Sequence, residues 1–303
     1  MLDVSAKIKT LRTATAQARL HLSPSTIALI QENKIPKGNP LEVAKVASVQ
    51  AAKNTSSIIP YCHPLPIDFV GYEYELGETW IDVRVTVKVV YKTGVEMEAL
   101  TAATVAVLTL YDMMKMLDET MSIGEVKLLK KTGGKSDFKT VYDKPLRAAV
   151  LVMSDSIAAG KKSDTSGQLI VERLKKENVS VMEYKIIPDD AEQIAAVLRK
   201  YADENKLDLV MTTGGTGFSP RDSTPEAMAD VIEREAPGIA EAARNYGQQR
   251  TPYSMLSRAT AGLRGKTLIV NLPGSKKGVA DSLDALFPAL LHSFKMIAGG
   301  GHE

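Results

Sequence analysis

The sequence predicts two domains, an α+β domain followed by an α/β domain with a doubly wound, mainly parallel sheet. The chain has 303 residues, enough for two domains of about 100–200 residues each. The segment KKTGGKSDFKTVYDK at residues 130–144 is polar, contains glycine and lacks apolar periodicity, as linkers do. The hydrophobic pattern also changes across this segment. We therefore place the two domains at residues 1–140 and 146–303.

The first domain combines alternating strands with long helices, which indicates an α+β layer. Residues 80–90 alternate apolar and other side chains, as a half-buried strand does, and a turn at Gly77 joins them to an antiparallel partner. The expected elements are a helix at 41–53 that ends at Lys53, strands at 67–76 and 80–90, a helix at 97–117 and a strand at 123–129.

The second domain alternates apolar strands with helices, which predicts a parallel sheet covered on both faces. Ligands of such sheets bind at the carboxyl ends of the strands. The expected elements are strands at 147–153, 179–187, 207–213 and 267–272, helices at 166–177 and 190–204, two helices before the last strand, and one long closing helix.

The composition favours a cytoplasmic protein with small-molecule ligands. The 38 Lys and Arg against 36 Asp and Glu leave no basic run of the kind that nucleic-acid binders carry. The single cysteine, Cys62, excludes an intrachain disulfide and fits a reducing compartment. The N-terminus lacks the apolar region of a signal peptide, and no apolar run approaches the ~18 residues of a membrane span. We expect neither a nucleic-acid nor a membrane partner.

The segment TGVEMEALTAATVAVLTLYDMMK at residues 93–115 carries the first candidate chemistry. Asp112 and Lys115 lie three residues apart, so a helix brings them to one face, where they either exchange protons or form an ordinary surface ion pair. Glu96 and Glu98 precede the helical run and either bind a ligand or only complement the helix dipole. His63 precedes a proline and is either functional or structural.

Six motifs in order resemble the MoaC family of cyclic pyranopterin monophosphate synthases: LDVSAK, SVQAAKNT, IPYCHPL, KTGVEMEAL, YDMMK and KTGGKSDFK. The resemblance implies a ferredoxin-like fold and a hexamer built from dimers, with active sites at a subunit interface. It also implies conversion of 3′,8-cyclo-7,8-dihydro-GTP to cyclic pyranopterin monophosphate and diphosphate. The implied catalytic residues are Asp112 and Lys115, and the implied substrate contacts are Lys37, Lys53, Tyr61, Cys62, His63, Glu96, Met97 and Glu98.

Two further expectations follow from this resemblance. Lys115, next to other cations, should have a lowered pKa and act as a base. The family usually has an aspartate two residues after the loop lysine, whereas this chain has Asn39, which keeps the ability to cap a helix that starts at Pro40. Tyr61 stands where the family usually has leucine.

The second domain carries glycines and carboxylates at strand ends. TTGGTG at residues 212–217 follows an apolar strand and would let backbone N–H groups approach a phosphate or a pterin. Thr224 is the expected N-cap of the next helix, with Pro225 in its first turn. Asp222 and the pair Asp189–Asp190 are candidate Mg²⁺ ligands, although the pair could simply be acids at a helix start.

The motifs MSDS, DTSG, IPDD, TTGGTGFSPRDSTPEA, LSR and NLPGSKKG resemble the MoaB/MogA family. The resemblance implies a molybdopterin-binding fold, usually trimeric, that adenylylates molybdopterin with Mg²⁺ and ATP as cofactors. Asp189 and Asp222 match the catalytic acids and would hold the metal. Residues that match the ligand loops are Ser154, Gly214, Gly215, Thr216, Ser257, Pro273, Gly274 and Ser275.

The two resemblances together predict a fusion of two enzymes of one pathway, acting on pterin and nucleotide substrates. The alternative is an active synthase fused to a non-catalytic molybdopterin-binding module. Hexamers and trimers are compatible, so we expect a homo-oligomer and favour a hexamer. The implied pathway inserts sulfur between the two steps, so direct transfer of product between the domains is not expected.

Overall fold

The computed structural model describes residues 1–301, which form two compact units divided between Asp137 and Phe138. Residues 130–132, predicted as linker, instead complete the last strand of the first unit, and Lys135–Phe138 form a 3₁₀ turn. The Tyr142 hydroxyl donates to Leu291 O at 2.7 Å, so this part of the expected linker packs on the second unit.

The first unit is a four-stranded antiparallel sheet in the order β2-β3-β1-β4, which is the predicted ferredoxin-like α+β arrangement. The predicted alternation in β3 is confirmed: Ile81, Val83, Val85, Val87 and Val89 are all fully buried in the core. The elements are β1 (Thr10–His21), α1 (Pro24–Gln31), α2 (Pro40–Ile58), β2 (Phe69–Leu76), β3 (Trp80–Tyr91), α3 (Glu96–Met114) and β4 (Ser122–Thr132).

Helix α2 starts where the sequence predicted but ends later. Asn39 is its N-cap, and the amide oxygen accepts from Leu41 N at 3.0 Å and Glu42 N at 3.2 Å. The prediction that the helix ends at Lys53 is wrong. The helix continues to Ile58, and the buried Thr55 hydroxyl satisfies its hydrogen bond within the helix by donating to Ala51 O at 3.0 Å.

Strand β1 and helix α1 were not predicted, and Asp118 ties α1 to the end of α3. Its carboxylate accepts from Ser23 N at 2.7 Å and from the Thr26 hydroxyl at 3.1 Å. Burial would raise the pKa of Asp118, but hydrogen bonds from Ser23 and Thr120 outweigh it and hold the pKa well below its usual range. The carboxylate therefore stays ionised and anchors the first turn of α1.

Helix α3 is the one helix in residues 1–301 that is long and apolar enough to cross a membrane, judged by length and composition alone. A core helix passes the same test, and α3 is one. Ala99, Ala102, Ala103, Val107 and Leu110 are fully buried in the core that α3 shares with the sheet.

The second unit contains a six-stranded sheet in the order β6-β5-β7-β10-β9-β8, parallel except for β9 and β8. Neighbouring residues of β5 enter different apolar cores, so the sheet is covered on both faces and the doubly wound prediction is confirmed. The elements are β5 (Arg147–Met153), α4 (Asp155–Ala158), α5 (Ser166–Lys176), β6 (Ser180–Ile187), α6 (Ala191–Arg199), β7 (Leu209–Thr213), α7 (Thr224–Val231), β8 (Arg234–Glu235), α8 (Pro237–Gln248), β9 (Ala261–Arg264), β10 (Thr267–Leu272), α9 (Lys276–Leu286) and α10 (Ser293–Ile297).

Two predictions about helix ends in this unit are wrong. The single long closing helix is broken after α9, because Pro288 has no N–H to continue the helical hydrogen bonds. Thr224 is the first residue of α7 rather than its cap. Ser223 takes the cap position, and Thr224 N instead donates to Gly215 O at 3.3 Å.

The Asn39 cap yields a first prediction. Asn39→Ala should lower the free energy of unfolding of the first unit by about 1 kcal/mol, because two N–H groups of α2 lose their acceptor. Asn39→Asp keeps an acceptor and is the matched control. Denaturant unfolding followed by the fluorescence of Trp80, the single tryptophan, measures both. Equal stability of the alanine variant and the native chain would contradict the cap's role.

Candidate active sites

The structure brings Lys37, Asp112 and Lys115 together at the carboxyl end of α3. Lys115 Nζ lies 2.8 Å from Asp112 Oδ1, and Lys37 Nζ lies 3.1 Å from Asp112 Oδ2 and 2.7 Å from the backbone oxygen of the same residue. Lys37 reaches this position from the loop before α2, where Gly38 has a φ of 95° that favours glycine. The carboxylate is thus held between two ammonium groups on an exposed surface.

The electrostatics of this cluster correct one prediction. The hydrogen bond from Lys115, followed by that from Lys37, lowers the pKa of Asp112. The same bond to Asp112 raises the pKa of Lys115, so the predicted lowering is wrong. The neighbour that matters most to Lys115 is a carboxylate, not a cation. Both shifts favour the charged forms, so the pair consists of an Asp112 carboxylate that accepts hydrogen bonds and a Lys115 ammonium that donates one.

A second cluster lies at the amino end of α3, around a cavity of about 600 Å³. It gathers six of the candidate residues, three of them in the first turn of α3 and three in the loop after α2. The candidate residues that line it are Tyr61, Cys62, His63, Glu96, Met97 and Glu98.

The two glutamates of this cluster differ in environment. Glu98 is only 4% exposed, and burial, with a smaller effect of Glu96, raises its pKa. Glu96 is partly exposed and pairs with Lys131 at 3.2 Å. Burial also raises the pKa of the Cys62 thiol, with a contribution from Glu98. Glu98 therefore keeps a proton to higher pH than an ordinary glutamate and is able to donate a hydrogen bond.

The two clusters of the first unit are far apart in one chain. Between Glu98 and Asp112, α3 is about 21 Å long at its rise of about 1.5 Å per residue. Lys53 is exposed on α2 and is not among the residues that line the cavity. A single chain therefore presents two halves of the predicted site at opposite ends of one rigid helix.

The candidate residues of the second unit lie at the carboxyl ends of parallel strands. Ser154 follows β5, Gly214 follows β7, and Pro273 follows β10. Gly214 has a φ of 107°, and a Cβ there would lie 2.1 Å from Met153 O, so only glycine fits. The Thr213 hydroxyl donates to Pro273 O at 2.6 Å and joins two of these loops.

The adjacent aspartates Asp189 and Asp190 have different roles. Asp190 is the N-cap of α6 and accepts from Gln193 N at 2.9 Å. Asp189 Oδ1 is buried beside Gly215 and Thr224 without a hydrogen-bond partner. Burial raises the pKa of Asp189, and the charges of Asp155 and Asp222 add to the rise. An unsatisfied buried carboxylate oxygen next to a glycine loop suits a cation or a ligand proton.

Asp222 lies in a loop that two arginines hold in place. Its carboxylate accepts from Ser219 N at 2.8 Å. The Arg258 guanidinium donates to Gly217 O at 2.8 Å and to Asp222 O at 2.5 Å. Arg221 forms a forked pair with Asp155, at 2.8 and 2.9 Å. Arg221, Arg258 and Asp155 lie in the motifs SPRD, LSR and MSDS but were not among the predicted site residues, and their neighbours in these motifs were the available signal.

Two carboxylates of this unit suit Mg²⁺, although they do not form a complete set of protein ligands. In the described part of the chain, no group of three or more His, Cys, Asp or Glu could hold a metal. The orphaned oxygen of Asp189 and the nearby Asp222 carboxylate are oxygen ligands of the kind that Mg²⁺ prefers when phosphates and water complete its shell.

A cavity of about 250 Å³ lies between the loops after β10 and the segment after α8. Its walls are partly apolar, from Ala240, Ala243 and Leu272, with a few polar groups, which suits a flat heterocycle. Three candidate residues line it, namely Ser257, Pro273 and Ser275; Gly274, Gly214, Gly215 and Thr216 do not.

Comparison with known proteins gives matches to both halves of the chain. The MoaC family model matches residues 1–134, and a probable molybdopterin binding domain matches residues 149–292. The chain is 44% identical over 302 residues to a molybdenum cofactor biosynthesis bifunctional protein of Chlorobaculum tepidum, covering 100% of this chain and 96% of the relative. It is 36% identical over 318 residues to one of Synechococcus elongatus, covering 100% and 98%.

The first half also matches relatives that are named for the synthase alone. It is 52% identical over 136 residues to a cyclic pyranopterin monophosphate synthase of Aquifex aeolicus. That match covers 45% of this chain and 54% of the relative.

The buried Glu98 predicts a pH-dependent stability. Because folding raises its pKa above the ordinary 4.5, the folded chain binds the proton more tightly, and stability falls as pH rises through that range. Glu98→Gln removes this titration, so the variant should gain stability relative to the native chain between pH 4.5 and neutrality. Trp80 fluorescence measures it, with exposed Glu119→Gln as control. A stability difference independent of pH would contradict the shift.

Because Asp189 Oδ1 has no hydrogen-bond partner, removing the charge of Asp189 should stabilise the second unit. Asp189→Asn should raise the free energy of unfolding of the second unit by about 1 kcal/mol at neutral pH, since one buried oxygen of this partly buried carboxylate has no hydrogen-bond partner. Asp190→Asn is the matched control, because asparagine caps helices equally well. Thermal unfolding by circular dichroism, in the transition that leaves Trp80 fluorescence unchanged, measures both. An Asp189→Asn variant that is less stable than the native chain would show that the Asp189 charge does not destabilise the folded second unit.

Proposed function

Because the chain belongs to the molybdenum cofactor biosynthesis bifunctional proteins, with a MoaC domain fused to a MoaB/MogA-like molybdopterin-binding domain, we propose that it catalyses two steps of that pathway. The first domain converts 3′,8-cyclo-7,8-dihydro-GTP to cyclic pyranopterin monophosphate and diphosphate. The observation that carries this proposal is the Asp112 carboxylate held between Lys37 and Lys115.

The first reaction opens and recloses rings, so it requires groups that accept and donate protons. Asp112, ionised by its two lysine neighbours, accepts a proton, and the ammonium of Lys115 donates one. Glu98, whose pKa burial raises, and His63 both line the 600 Å³ cavity, which is where we place the pterin ring. The substrate is thus bound by groups that accept a proton and by groups that donate one.

We propose that a second copy of the chain completes this site. The Asp112 cluster and the Glu98 cluster are separated by about 21 Å of helix, which is too far for one compact substrate. A symmetric dimer interface presents the same patch on both subunits, so the carboxyl end of one α3 meets the cavity of the other. Since trimers of the second domain are compatible with dimers of the first, a hexamer is the favoured assembly.

For the second domain we propose adenylylation of molybdopterin with Mg-ATP. The terminal phosphate of molybdopterin attacks the α-phosphate of ATP, and diphosphate leaves. Mg²⁺, when bound by Asp189 and Asp222, neutralises charge on the phosphate oxygens. The glycine loop brings backbone N–H groups to the phosphates, and Arg258 fixes the loop that carries Asp222.

The alternative for this domain is a non-catalytic molybdopterin-binding module. The buried, unpaired oxygen of Asp189 supports the enzyme instead, because a module that only binds a pterin has no use for a costly carboxylate at the phosphate loop. The partners of both sites are pterins and nucleotides, and we place the protein in the cytoplasm. Co-localisation or a fixed ratio of two enzymes explains the fusion better than direct transfer of product.

Variants in the two domains should separate the activities. Asp112→Asn and Lys115→Ala should lower pyranopterin formation by about 100-fold or more, because each removes a proton-transfer group, and should spare adenylylation. Asp222→Ala should do the reverse. In each variant, the retained activity of the unsubstituted domain is the control for folding of the chain. Product assays for cyclic pyranopterin monophosphate and adenylylated molybdopterin measure both.

Retained synthase turnover in both first-domain variants would remove the acid/base assignment. Failure of the native chain to adenylylate molybdopterin with Mg-ATP, with the synthase active, would leave the binding module as the function of the second domain.

A further inference from the structure

Two buried oxygen atoms beside the glycine loop of the second domain have no hydrogen-bond partner within residues 1–301. One is Asp189 Oδ1, and the other is the hydroxyl oxygen of Thr224, a residue with an exposed fraction of 0%. Buried hydroxyl groups are nearly always bonded, so an unpaired one requires a specific explanation. Asp189 has a role in the proposed function, whereas Thr224 has none.

Gly215 brings the two oxygens to one place. A Cβ on Gly215 would lie 2.2 Å from Thr224 Oγ1 and 3.0 Å from Asp189 Oδ1, so both oxygens face the same side of this residue. The φ of Gly215 is 61°, which favours glycine, and any side chain here would push the loop away from both oxygens. Thr224 N donates to Gly215 O at 3.3 Å, and this bond holds the threonine against the loop.

The hydroxyl and the carboxylate do not bond to each other, although they suit one another as donor and acceptor. A ligand that takes both oxygens explains why each lacks a partner in the protein. Two oxygens that face one place, one of them on a carboxylate, are the kind of group that coordinates a small divalent cation. Threonine hydroxyls coordinate Mg²⁺ in this way in P-loop proteins.

The charge around this pair also favours a cation. The start of α7 would by itself favour an anion. Burial raises the pKa of Asp189, however, and the negative charges of Asp155 and Asp222 add to the rise, so carboxylates dominate the surroundings. The nearby cation, Arg221, is already paired with both carboxylate oxygens of Asp155.

We propose that the Thr224 hydroxyl is a third protein ligand, beside Asp189 and Asp222, of the divalent cation of the second domain. The inference rests on the function proposed for that domain and adds a residue to its metal site. A hydroxyl supplies an oxygen without a negative charge. The cation therefore keeps more of its positive charge for the phosphate oxygens than it would with a third carboxylate.

Thermal unfolding of the full-length protein at a series of Mn²⁺ concentrations, followed by circular dichroism, tests the proposal. Mn²⁺ takes the same oxygen ligands as Mg²⁺. Binding to the folded second unit raises the midpoint of its transition, and the concentration dependence gives the Kd. Thr224→Val keeps the shape of the side chain without the hydroxyl, so the Kd should rise about 10-fold or more. Thr224→Ser keeps the hydroxyl and should stay within about twofold of the native Kd.

The same measurement in EDTA separates a metal ligand from a structural group. Without metal, Thr224→Val should be at least as stable as the native chain, because the hydroxyl has no bond to lose. Thr267→Val is the matched control. Thr267 is also buried, but its hydroxyl donates to Leu207 O at 2.6 Å, and it starts β10, at the opposite end of the strand from the ligand loops. This control should lose stability in EDTA and keep the native Kd for Mn²⁺.

An unchanged Kd for Mn²⁺ in Thr224→Val would overturn the proposal, as would a native chain whose midpoint does not depend on Mn²⁺. A Thr224→Val variant that loses as much stability in EDTA as Thr267→Val would also overturn it. That loss would show that the hydroxyl is bonded within the metal-free protein.

Failure of this proposal is distinguishable from failure of the proposed function. If the native chain does not adenylylate molybdopterin with Mg-ATP, the enzymatic function falls, while a weaker Kd for Mn²⁺ in Thr224→Val still supports the cation site. If the native chain is active but Thr224→Val binds Mn²⁺ normally, the function stands and the Thr224 assignment is overturned.

Discussion

The packing of α3 on the four-stranded sheet is the constraint on which the first site depends. Small side chains such as Ala99, Ala102 and Ala103 are fully buried, so the helix lies in the core and cannot bend or move to bring its two ends together. The loop before α2 contacts the carboxyl end of α3 and the loop after α2 reaches its amino end, so the two helices run antiparallel. The distance between Asp112 and Glu98 is therefore set by the length of helix α3 and not by a flexible loop.

Each domain keeps a carboxyl group in a position that costs stability. Glu98 is buried beside Glu96, and Asp189 has an oxygen without a hydrogen-bond partner beside a glycine loop. Other acids of the two domains are used structurally and are well satisfied, as Asp118 and Asp190 are. From this contrast we infer that Glu98 and Asp189 serve a ligand, because folding alone favours the satisfied arrangement.

Much of the fold could be predicted because β3 and the parallel strands of the second unit have strong hydrophobic patterns. Strand β1 could not, since its inward residues are mainly alanines, which give a weak strand signal. The pKa of Lys115 was predicted in the wrong direction because sequence order does not show that the carboxylate of Asp112 is its closest charged neighbour. The choice between Asp189 and Asp190 as the candidate metal ligand likewise required the structure, in which Asp190 is the N-cap of α6.

Mixed oligomers of two inactive variants test the central claim, that two copies of the chain share each synthase site. Asp112→Asn and His63→Ala should each be inactive alone. When they are dissociated, mixed and reassembled, about a quarter of the sites should combine an intact Asp112 from one chain with an intact His63 from another. Recovery of synthase activity to about that fraction is the expected result. Mixed oligomers with no activity above the separate variants, with reassembly verified, would contradict a shared site.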